Sequence, residues 1–242
     1  MGLFDFTQEC LDAAQGKLPF QSPGGKRSPR PKRLQVFKNQ FLEKYFAQAH
    51  PITPGLWFGG FVIYGVYRGF RDFGWWAIPL FLFGALITTL IEYLVHRFLF
   101  HMEARTEKER LRLFLLHGYH HEFPNDPMRL VLPPIGIWPL ALVVGLLWSW
   151  IFGPYFWPVF GGTAAGYIAY DWIHYYTHHF NPKRGLGRWL KRYHMLHHFD
   201  SPNHRFGITS PLWDLVFGTY LPLNKMVREA HSHHESEGEK QL

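Results

Sequence analysis

Four apolar segments most strongly constrain the fold of this chain of 242 residues. A helix needs about 20 apolar residues to cross the hydrocarbon core of a bilayer, so the second and third segments are long enough and the first and fourth are short. The segments are residues 52–67, 75–95, 131–152 and 155–173. We therefore predict an all-α integral membrane protein with about four transmembrane helices.

Aromatic residues support a membrane interface. They make up 19% of the chain, and tryptophans concentrate at the ends of apolar segments, as interfacial tryptophans do. These are Trp57, Trp75, Trp76, Trp138, Trp148, Trp150 and Trp157.

The chain has 16 histidines, and eleven of them lie between His96 and His198. They form four groups, which read HRFLFH, HGYHH, HYYTHH and HMLHH. Neutral imidazole is the commonest metal ligand in proteins. This clustering therefore predicts metal binding.

Topology places these groups together. If all four apolar segments cross the membrane, every histidine group falls on one side, which also carries most lysines and arginines. The positive-inside rule makes this side cytoplasmic, with both termini on it. We predict an interfacial arm at residues 1–49, a membrane-embedded domain with a cytoplasmic cap at 50–220, and a tail at 221–242.

Helical geometry predicts which imidazoles converge. In the two H-x2-HH motifs, positions i, i+3 and i+4 share one helix face, so we expect three imidazoles to face a single point. His174 and His178 lie one turn apart, and His179 points about 100° away. His96 and His101, at i and i+5, would diverge on an ideal helix, so the second membrane helix should end or bend between them.

Ten histidines then remain, too many for one zinc ion, which usually takes four ligands. A centre of two metals, with four or five imidazoles each, is the simplest prediction. The paired Glu-x-x-His motif of soluble di-iron bundles and the HExxH motif of zinc proteases are both missing from the sequence.

Carboxylates near the histidines are candidates for accepting the second ring N–H of a ligand. Glu92, Glu122 and Asp171 lie within one or two helical turns of a histidine. Asp171 shares a helix face with His174, although a helix-end charge that reaches interfacial water is the alternative. Tyr170 is open between a pocket wall, a hydrogen-bond donor and an interfacial aromatic residue.

Other classes of site and partner are less favoured. The single cysteine, Cys10, excludes a disulfide within the chain and cysteine-based zinc or iron–sulfur sites. The net charge of +7 is concentrated in residues 25–33 and 183–192, beside apolar segments. This position indicates binding to anionic lipid head groups rather than to nucleic acid.

The N-terminal residues give two further predictions. The first ten residues show no cleavable signal peptide, and residues 36–49 are compatible with an amphipathic helix.

These residues resemble the integral-membrane fatty acid hydroxylase and sterol desaturase superfamily, and within it the fatty acid 2-hydroxylases. The resemblance is carried, in order, by TLIEYLVHRFLFHM (Thr89 to Met102), HGYHHEFPNDPMRLVLPP (His117 to Pro134), GYIAYDWIHYYTHH (Gly166 to His179), KRYHMLHHF (Lys191 to Phe199) and FGITSPLWDLVFGTY (Phe206 to Tyr220).

The resemblance implies oxygen-dependent hydroxylation at C2 of a long acyl chain at two histidine-bound metal ions. Iron is the expected working metal, and zinc is possible in purified protein. The implied ligands are His96, His101, His117, His120, His121, His174, His178, His194, His197 and His198.

From their position beside His174, we take Asp171 and Tyr170 as the candidate catalytic residues. Residues 1–88 lack the His-Pro-Gly-Gly haem motif of eukaryotic members, so the electrons should come from a separate cytochrome-type or ferredoxin-type protein. His204 and Arg205 depart from the family pattern, and His204 is open between a spare ligand, a gate and a surface residue.

Other functions stay open at this point. Sterol C4-methyl oxidation, desaturation and carotenoid hydroxylation use the same superfamily pattern. A histidine-rich metal transporter would need ligands along a path at mid-membrane depth, whereas these groups lie at one face. A structural zinc site is the last alternative, and the number of donors weakens it.

Overall fold

The computed structural model describes residues 4–17 and 33–225, which form ten α-helices and no β-strand. One isolated antiparallel bridge joins Phe6 to Phe37. The helices are α1 (Gln8–Ala14), α2 (Gln40–Tyr45), α3 (Thr53–Phe73), α4 (Ala77–Leu94), α5 (Glu107–Leu113), α6 (Tyr119–Glu122), α7 (Pro134–Phe152), α8 (Phe156–His179), α9 (Gly185–Phe199) and α10 (Leu212–Val216). The predicted all-α class is confirmed.

The four apolar segments form α3, α4, α7 and α8. Two continuous helical runs, Thr53–Phe100 and Pro134–His179, are long and apolar enough to cross a membrane. Each run contains two of these helices, joined at a glycine of positive φ, Gly74 (57°) and Gly153 (47°). Only 22% and 11% of their apolar windows are buried within the structure, whereas the core helices of a water-soluble domain would be mostly buried. The chain is therefore a membrane protein, and the number of crossings stays a prediction.

Helix α8 lies at the centre of this bundle, packed against both α3 and α4. Its backbone approaches α4 so closely that a Cβ atom at Gly162 would lie 1.9 Å from the Phe81 carbonyl oxygen, and one at Gly84 would lie 2.0 Å from that of Val159. Small residues at such contacts allow membrane helices to pack backbone against backbone. The Thr88 hydroxyl also donates to the Thr163 carbonyl at 3.1 Å, which ties α4 to α8.

The N-terminal residues pack against the cap. Cys10, Val36 and Leu42 are buried in one apolar cluster with Phe114 and Tyr119. This packing joins part of the arm to the turn that carries one histidine group. The division of residues 1–49 from 50–220 stays a prediction.

Helix α2 is shorter than the amphipathic helix expected at residues 36–49. The Asn39 side chain accepts the amide N–H groups of Phe41 and Leu42 and so caps the helix start. The Glu43 carboxylate accepts the N–H groups of Val36 and Phe37, each at 3.0 Å. These bonds tie Val36 and Phe37, three and two residues before Asn39, to helix α2.

Two predicted features lie outside the described residues. They are the basic run at 25–33, apart from Arg33, and the predicted tail at 221–242, of which the structure describes only residues 221–225.

Candidate metal centre

The π-helical turn Val95–Phe100 brings His96 and His101 together. Helix α4 ends at Leu94, and the His101 amide N–H donates to the His96 carbonyl at 3.2 Å, five residues back. This i→i+5 bonding places residues five apart on one face, and the two imidazole centroids are 5.0 Å apart. The predicted end of the α-helix at this point is confirmed, and the π turn is its physical basis.

The structure brings all ten predicted histidines into two groups of five. Within each group, the nitrogens available as ligands lie within 4.8 Å of one another. The first histidine group is His96, His101, His117, His121 and His197, and the second histidine group is His120, His174, His178, His194 and His198. His179 and His204 belong to neither group, and the His179 ring stacks on Tyr175 with centroids 4.3 Å apart.

The expectation that each H-x2-HH motif faces a single point is wrong. In HGYHH, His117 and His121 join the first group and His120 joins the second, while in HMLHH only His197 joins the first group. The reason is helical geometry: residues at i and i+4 are about 40° apart around the axis, but i+3 and i+4 are about 100° apart. Each motif therefore supplies both groups.

The donor atoms converge as a bound cation requires. In the second group, His174 and His120 lie 3.0 Å apart at Nε2, and His120 is also 3.0 Å from His198. The series continues from His198 to His194 at 3.0 Å and from His194 to His178 at 2.8 Å. A neutral imidazole nitrogen offers either a proton or a lone pair, so these contacts cannot all be hydrogen bonds. A cation that accepts the lone pairs fits the arrangement.

The first group shows the same convergence. The Nε2 atom of His117 is 3.1 Å from that of His96 and 2.9 Å from that of His121. His197 and His101 are 3.1 Å apart at Nε2. With metal–nitrogen bonds of about 2.0–2.1 Å, nitrogens about 3 Å apart subtend about 90° at the metal, narrower than in a tetrahedral zinc site. The spacing fits a metal with five or six ligands.

The electrostatic surroundings favour the form of histidine that binds metal. Burial, and then the neighbouring imidazoles, hold the pKa of His194, His197 and His198 well below the usual range. Burial likewise lowers the pKa of His120 to about 3. These imidazoles are therefore neutral at physiological pH, and a metal ion need not displace protons from them.

In two histidines of the first group, the ring nitrogen Nδ1 is hydrogen-bonded to the loop between α9 and α10. The His96 Nδ1–H donates to the Phe206 carbonyl at 2.6 Å, and the His197 Nδ1–H donates to the His204 carbonyl at 2.8 Å. His204 thus contributes its backbone to the surroundings of the first group. The sequence marked this segment only through its family resemblance, because backbone carbonyls leave no residue-type signal.

One of the predicted carboxylate partners, Glu92, bonds to the loop between α9 and α10. Glu92 accepts the amide N–H groups of Ile208 and Thr209 at 2.8 and 3.2 Å, and the Thr209 hydroxyl at 3.0 Å. It therefore anchors the loop whose carbonyls hold the histidines. Glu122 ends α6, directly after His121.

An apolar cavity of about 150 Å³ reaches both histidine groups. His117 of the first group and His120 and His174 of the second line it, together with Tyr170 and Asp171. Its remaining wall is mainly apolar and includes Thr88, Ile91, Val95, Leu132 and Leu140. Asp171 is almost fully buried, and its Oδ2 atom has no hydrogen-bond partner among the described residues. The Tyr170 ring lies 5.8 Å from that of His174.

The fold and this site define an all-α membrane protein in which each of two histidine groups can hold a metal ion beside an apolar cavity. The family model for fatty acid hydroxylases matches residues 81–219, more than half of the chain and all ten histidines. The chain belongs to the fatty acid hydroxylase family.

Curated relatives agree with this assignment. The chain is 42% identical over 153 residues to dihydroceramide fatty acyl 2-hydroxylase FAH1 of Arabidopsis thaliana, covering 63% of this chain and 64% of the relative. It is 36% identical over 201 residues to ceramide very long chain fatty acid hydroxylase SCS7 of Saccharomyces cerevisiae, covering 78% of this chain and 51% of the relative. The chain thus spans less than two thirds of the length of these relatives.

A solved structure of full-length scs7p, in which only the hydroxylase domain is visible, has a similar fold. The TM-score is 0.76 at 29% identity, with 94% of this chain and 84% of that chain covered.

Proposed function

We propose that this chain is a membrane-bound, oxygen-dependent hydroxylase that inserts a hydroxyl group at C2 of a long acyl chain. One observation carries the proposal: an apolar cavity runs to two groups of five imidazoles whose Nε2 atoms converge. Family membership and relatives named as fatty acyl 2-hydroxylases support the reaction class and the acyl substrate.

Two iron ions, one in each histidine group, would supply the redox chemistry that activates O₂. The right-angled spacing of the nitrogens supports this choice over a tetrahedral structural zinc, and zinc in these positions would lack redox chemistry. The remaining oxygen atom leaves as water, so each turnover consumes two electrons and two protons besides those of the C–H bond. A separate cytochrome-type or ferredoxin-type protein would deliver the electrons.

The cavity walls determine which carbon reaches the histidines. Ile91, Leu132 and Leu140 offer apolar contact to an acyl chain, as ligand sites for lipids require. Asp171 and Tyr170 lie where this wall meets His174. The Asp171 oxygen without a protein partner is available to bind a polar group of the substrate or to hold a proton there, and Tyr170 closes the pocket beside it.

For the membrane topology, we propose several crossings with both ends of the chain and both histidine groups on the cytoplasmic side. Gly74 and Gly153, both with positive φ, lie between α3 and α4 and between α7 and α8, and the two helices of each pair are in contact. The distribution of lysine and arginine supports the cytoplasmic assignment.

Lipid analysis of an expressing strain tests this function. Expression of the full chain, with metal and a reductant system present, should produce acyl chains that carry a hydroxyl at C2, located by mass spectrometry of the released fatty acids. His120→Ala or His197→Ala should abolish this product. Full 2-hydroxylation in either variant, or oxygen found on a sterol or carotenoid instead, would contradict the proposal.

A further inference from the structure

The loop at residues 204–209 connects α9 to α10 and binds the first histidine group through its backbone. Its carbonyls at His204 and Phe206 accept the Nδ1–H groups of His197 and His96. A carbonyl oxygen can only accept, so Nδ1 of both imidazoles carries the proton and Nε2 keeps the lone pair for a metal. The loop therefore fixes the tautomer of two histidines in one group.

The buried carboxylate of Asp214 is hydrogen-bonded to the peptide group that contains one of these carbonyls. The Phe206 carbonyl and the Gly207 N–H belong to the same peptide group, and this N–H donates to Asp214 Oδ2 at 2.9 Å. The peptide is thus hydrogen-bonded to Asp214 on one side and to His96 on the other. Hydrogen bonds in such a series polarise one another, so the carboxylate strengthens the carbonyl as an acceptor for His96.

Asp214 is built into this position. Its side chain is fully buried and also accepts the Phe206 N–H at 2.9 Å, the Thr219 hydroxyl at 2.7 Å and the Tyr193 hydroxyl at 3.0 Å. Four donors leave the carboxylate no freedom to rotate away from the Phe206–Gly207 peptide.

Arg205, which precedes Phe206 in this loop, has an uncommon backbone conformation. It is the single residue other than glycine with positive φ (59°) among residues 4–17 and 33–225. Its buried guanidinium donates to the carbonyls of Leu221 at 3.2 Å, Pro222 at 3.3 Å and Lys225 at 2.6 Å. A strained, fully bonded residue of this kind is typical of backbone that must hold a functional shape.

The second histidine group has a different outer environment. The Nδ1 atoms of His174, His194 and His198 are buried without a hydrogen-bond partner among the described residues. Outer partners orient metal-binding imidazoles and increase their basicity, and their loss typically lowers metal affinity about 10- to 100-fold. The two groups therefore differ in how firmly the protein orients their ligands.

We propose that Asp214 is a positioning residue for a metal ion in the first histidine group and acts on His96 through the Phe206–Gly207 peptide. The inference rests on the proposed metal occupancy, and it extends to a residue that touches no metal ligand directly.

Cobalt(II) binding to the purified full-length chain tests the inference, because Co²⁺ gives absorption bands that report its ligands. His101→Ala and His178→Ala assign the bands to the first and second groups. In Asp214→Asn, a chelator titration should show one equivalent of Co²⁺, that of the first group, bound about 10- to 100-fold more weakly. The second equivalent should keep its affinity.

Asp126→Asn is the matched control. Asp126 is also buried and likewise accepts a backbone N–H, from Met128, and a tyrosine hydroxyl, from Tyr119. In contrast to Asp214, it is not connected through these hydrogen bonds to a peptide group that binds a histidine of either group. It should retain both affinities. An Asp214→Asn protein with unchanged Co²⁺ affinity, or with both equivalents weakened alike, would overturn the inference, and so would an Asp126→Asn protein whose first equivalent is weakened as strongly.

Tyr193→Phe keeps the test decisive if Asp214→Asn does not fold. It removes one donor from Asp214 Oδ2 and leaves more charge on that oxygen for the Gly207 N–H. His96 should then donate more strongly to the metal, and the absorption band of Co²⁺ in the first group should shift in the direction expected for a stronger ligand. An unchanged band, or a shift towards weaker donation, would count against a relay through the peptide. If the unmodified chain binds no Co²⁺, the proposed metal centre itself fails.

Discussion

His120 and His121 are neighbours in the chain, yet their imidazoles belong to different histidine groups. The ring centroids are 6.0 Å apart with their planes at 75°. His120 Nε2 lies 3.0 Å from His198 Nε2, whereas His121 Nε2 lies 2.9 Å from His117 Nε2. One short segment of chain therefore holds both candidate metal positions at a fixed separation.

Alanine substitution at these two neighbours should remove different metal ions. His120→Ala should weaken metal binding in the second group and His121→Ala in the first, because each loses one of five converging nitrogens. We expect the metal content measured by elemental analysis to fall from two towards one per chain in both variants. Their Co²⁺ spectra should lose different bands, and 2-hydroxylation should fall at least about 100-fold in both. Identical residual spectra would contradict the division into two groups.

Much of this site follows from the sequence alone. The spacing of apolar segments and histidines predicts the all-α fold and the ten imidazoles that the structure brings together. Which imidazole joins which group does not follow, because it depends on the π turn at Val95–Phe100, on a second π turn at Phe114–Gly118, and on the rotation of α6 and α9 about their axes. The roles of Phe206 and Asp214 also depend on tertiary structure, since a carbonyl acceptor is the same for every residue type.

Asp171→Asn should separate catalysis from metal binding. The substitution keeps the size of the side chain but replaces a carboxyl group, whose Oδ2 atom has no hydrogen-bond partner among the described residues, with an amide that cannot take up or release a proton in its place. Loss of a group that handles a proton typically costs about 10²- to 10⁴-fold in rate, so we expect a decrease of this size in 2-hydroxylated product with two metals retained. Asp72→Asn, at the far end of α3 beside Arg68 and Arg71, is the control and should keep its activity. Full activity in Asp171→Asn would leave this residue without a catalytic role.

A larger side chain at the cavity wall should impair use of the substrate without affecting the metals. Leu140 lines the cavity, so Leu140→Trp should obstruct the acyl chain and lower kcat/KM for long-chain substrates about tenfold or more. Leu142, on the same helix α7, is 63% exposed and does not line the cavity. Leu142→Trp should therefore behave like the unmodified chain. Equal effects of the two tryptophans would indicate that the acyl chain binds elsewhere.

The ion pair between Glu43 and Arg129 should hold the N-terminal segment on the cap. Both side chains are buried, and Glu43 also accepts the N–H groups of Val36 and Phe37. Glu43→Ala leaves the buried Arg129 guanidinium with only its longer ion pair to Asp126, at 3.8 Å. The loss should therefore be smaller than the about 3–5 kcal/mol typical of an unpaired buried charge, and it should expose residues 33–49 to limited proteolysis.

The double variant Glu43→Leu with Arg129→Met removes both charges and is the comparison for this pair. It should recover part of the lost stability in thermal unfolding. A Glu43→Ala protein as stable and as protease-resistant as the unmodified chain would show that the pair contributes little.

Cys10 should make the stability of this cap depend on alkaline pH. The thiol is fully buried in the apolar cluster, and burial, partly offset by Arg129, raises its pKa from 9.0 to about 12. Because the folded pKa is the higher one, the thiol's contribution is complete below about pH 9, where it is protonated in both states. This contribution is lost as pH rises from about 9 to about 12, because in that range the thiol ionises readily only in the unfolded chain. The loss amounts to about 1.4 kcal/mol per pH unit.

Thermal unfolding of the unmodified chain and of Cys10→Ala, compared between pH 8 and pH 10.5, isolates the contribution of the thiol to stability, because all other groups titrate alike in both proteins. The stability of the unmodified chain should fall relative to Cys10→Ala as pH rises, and a difference that stays constant with pH would show that the thiol ionises equally well in the folded protein.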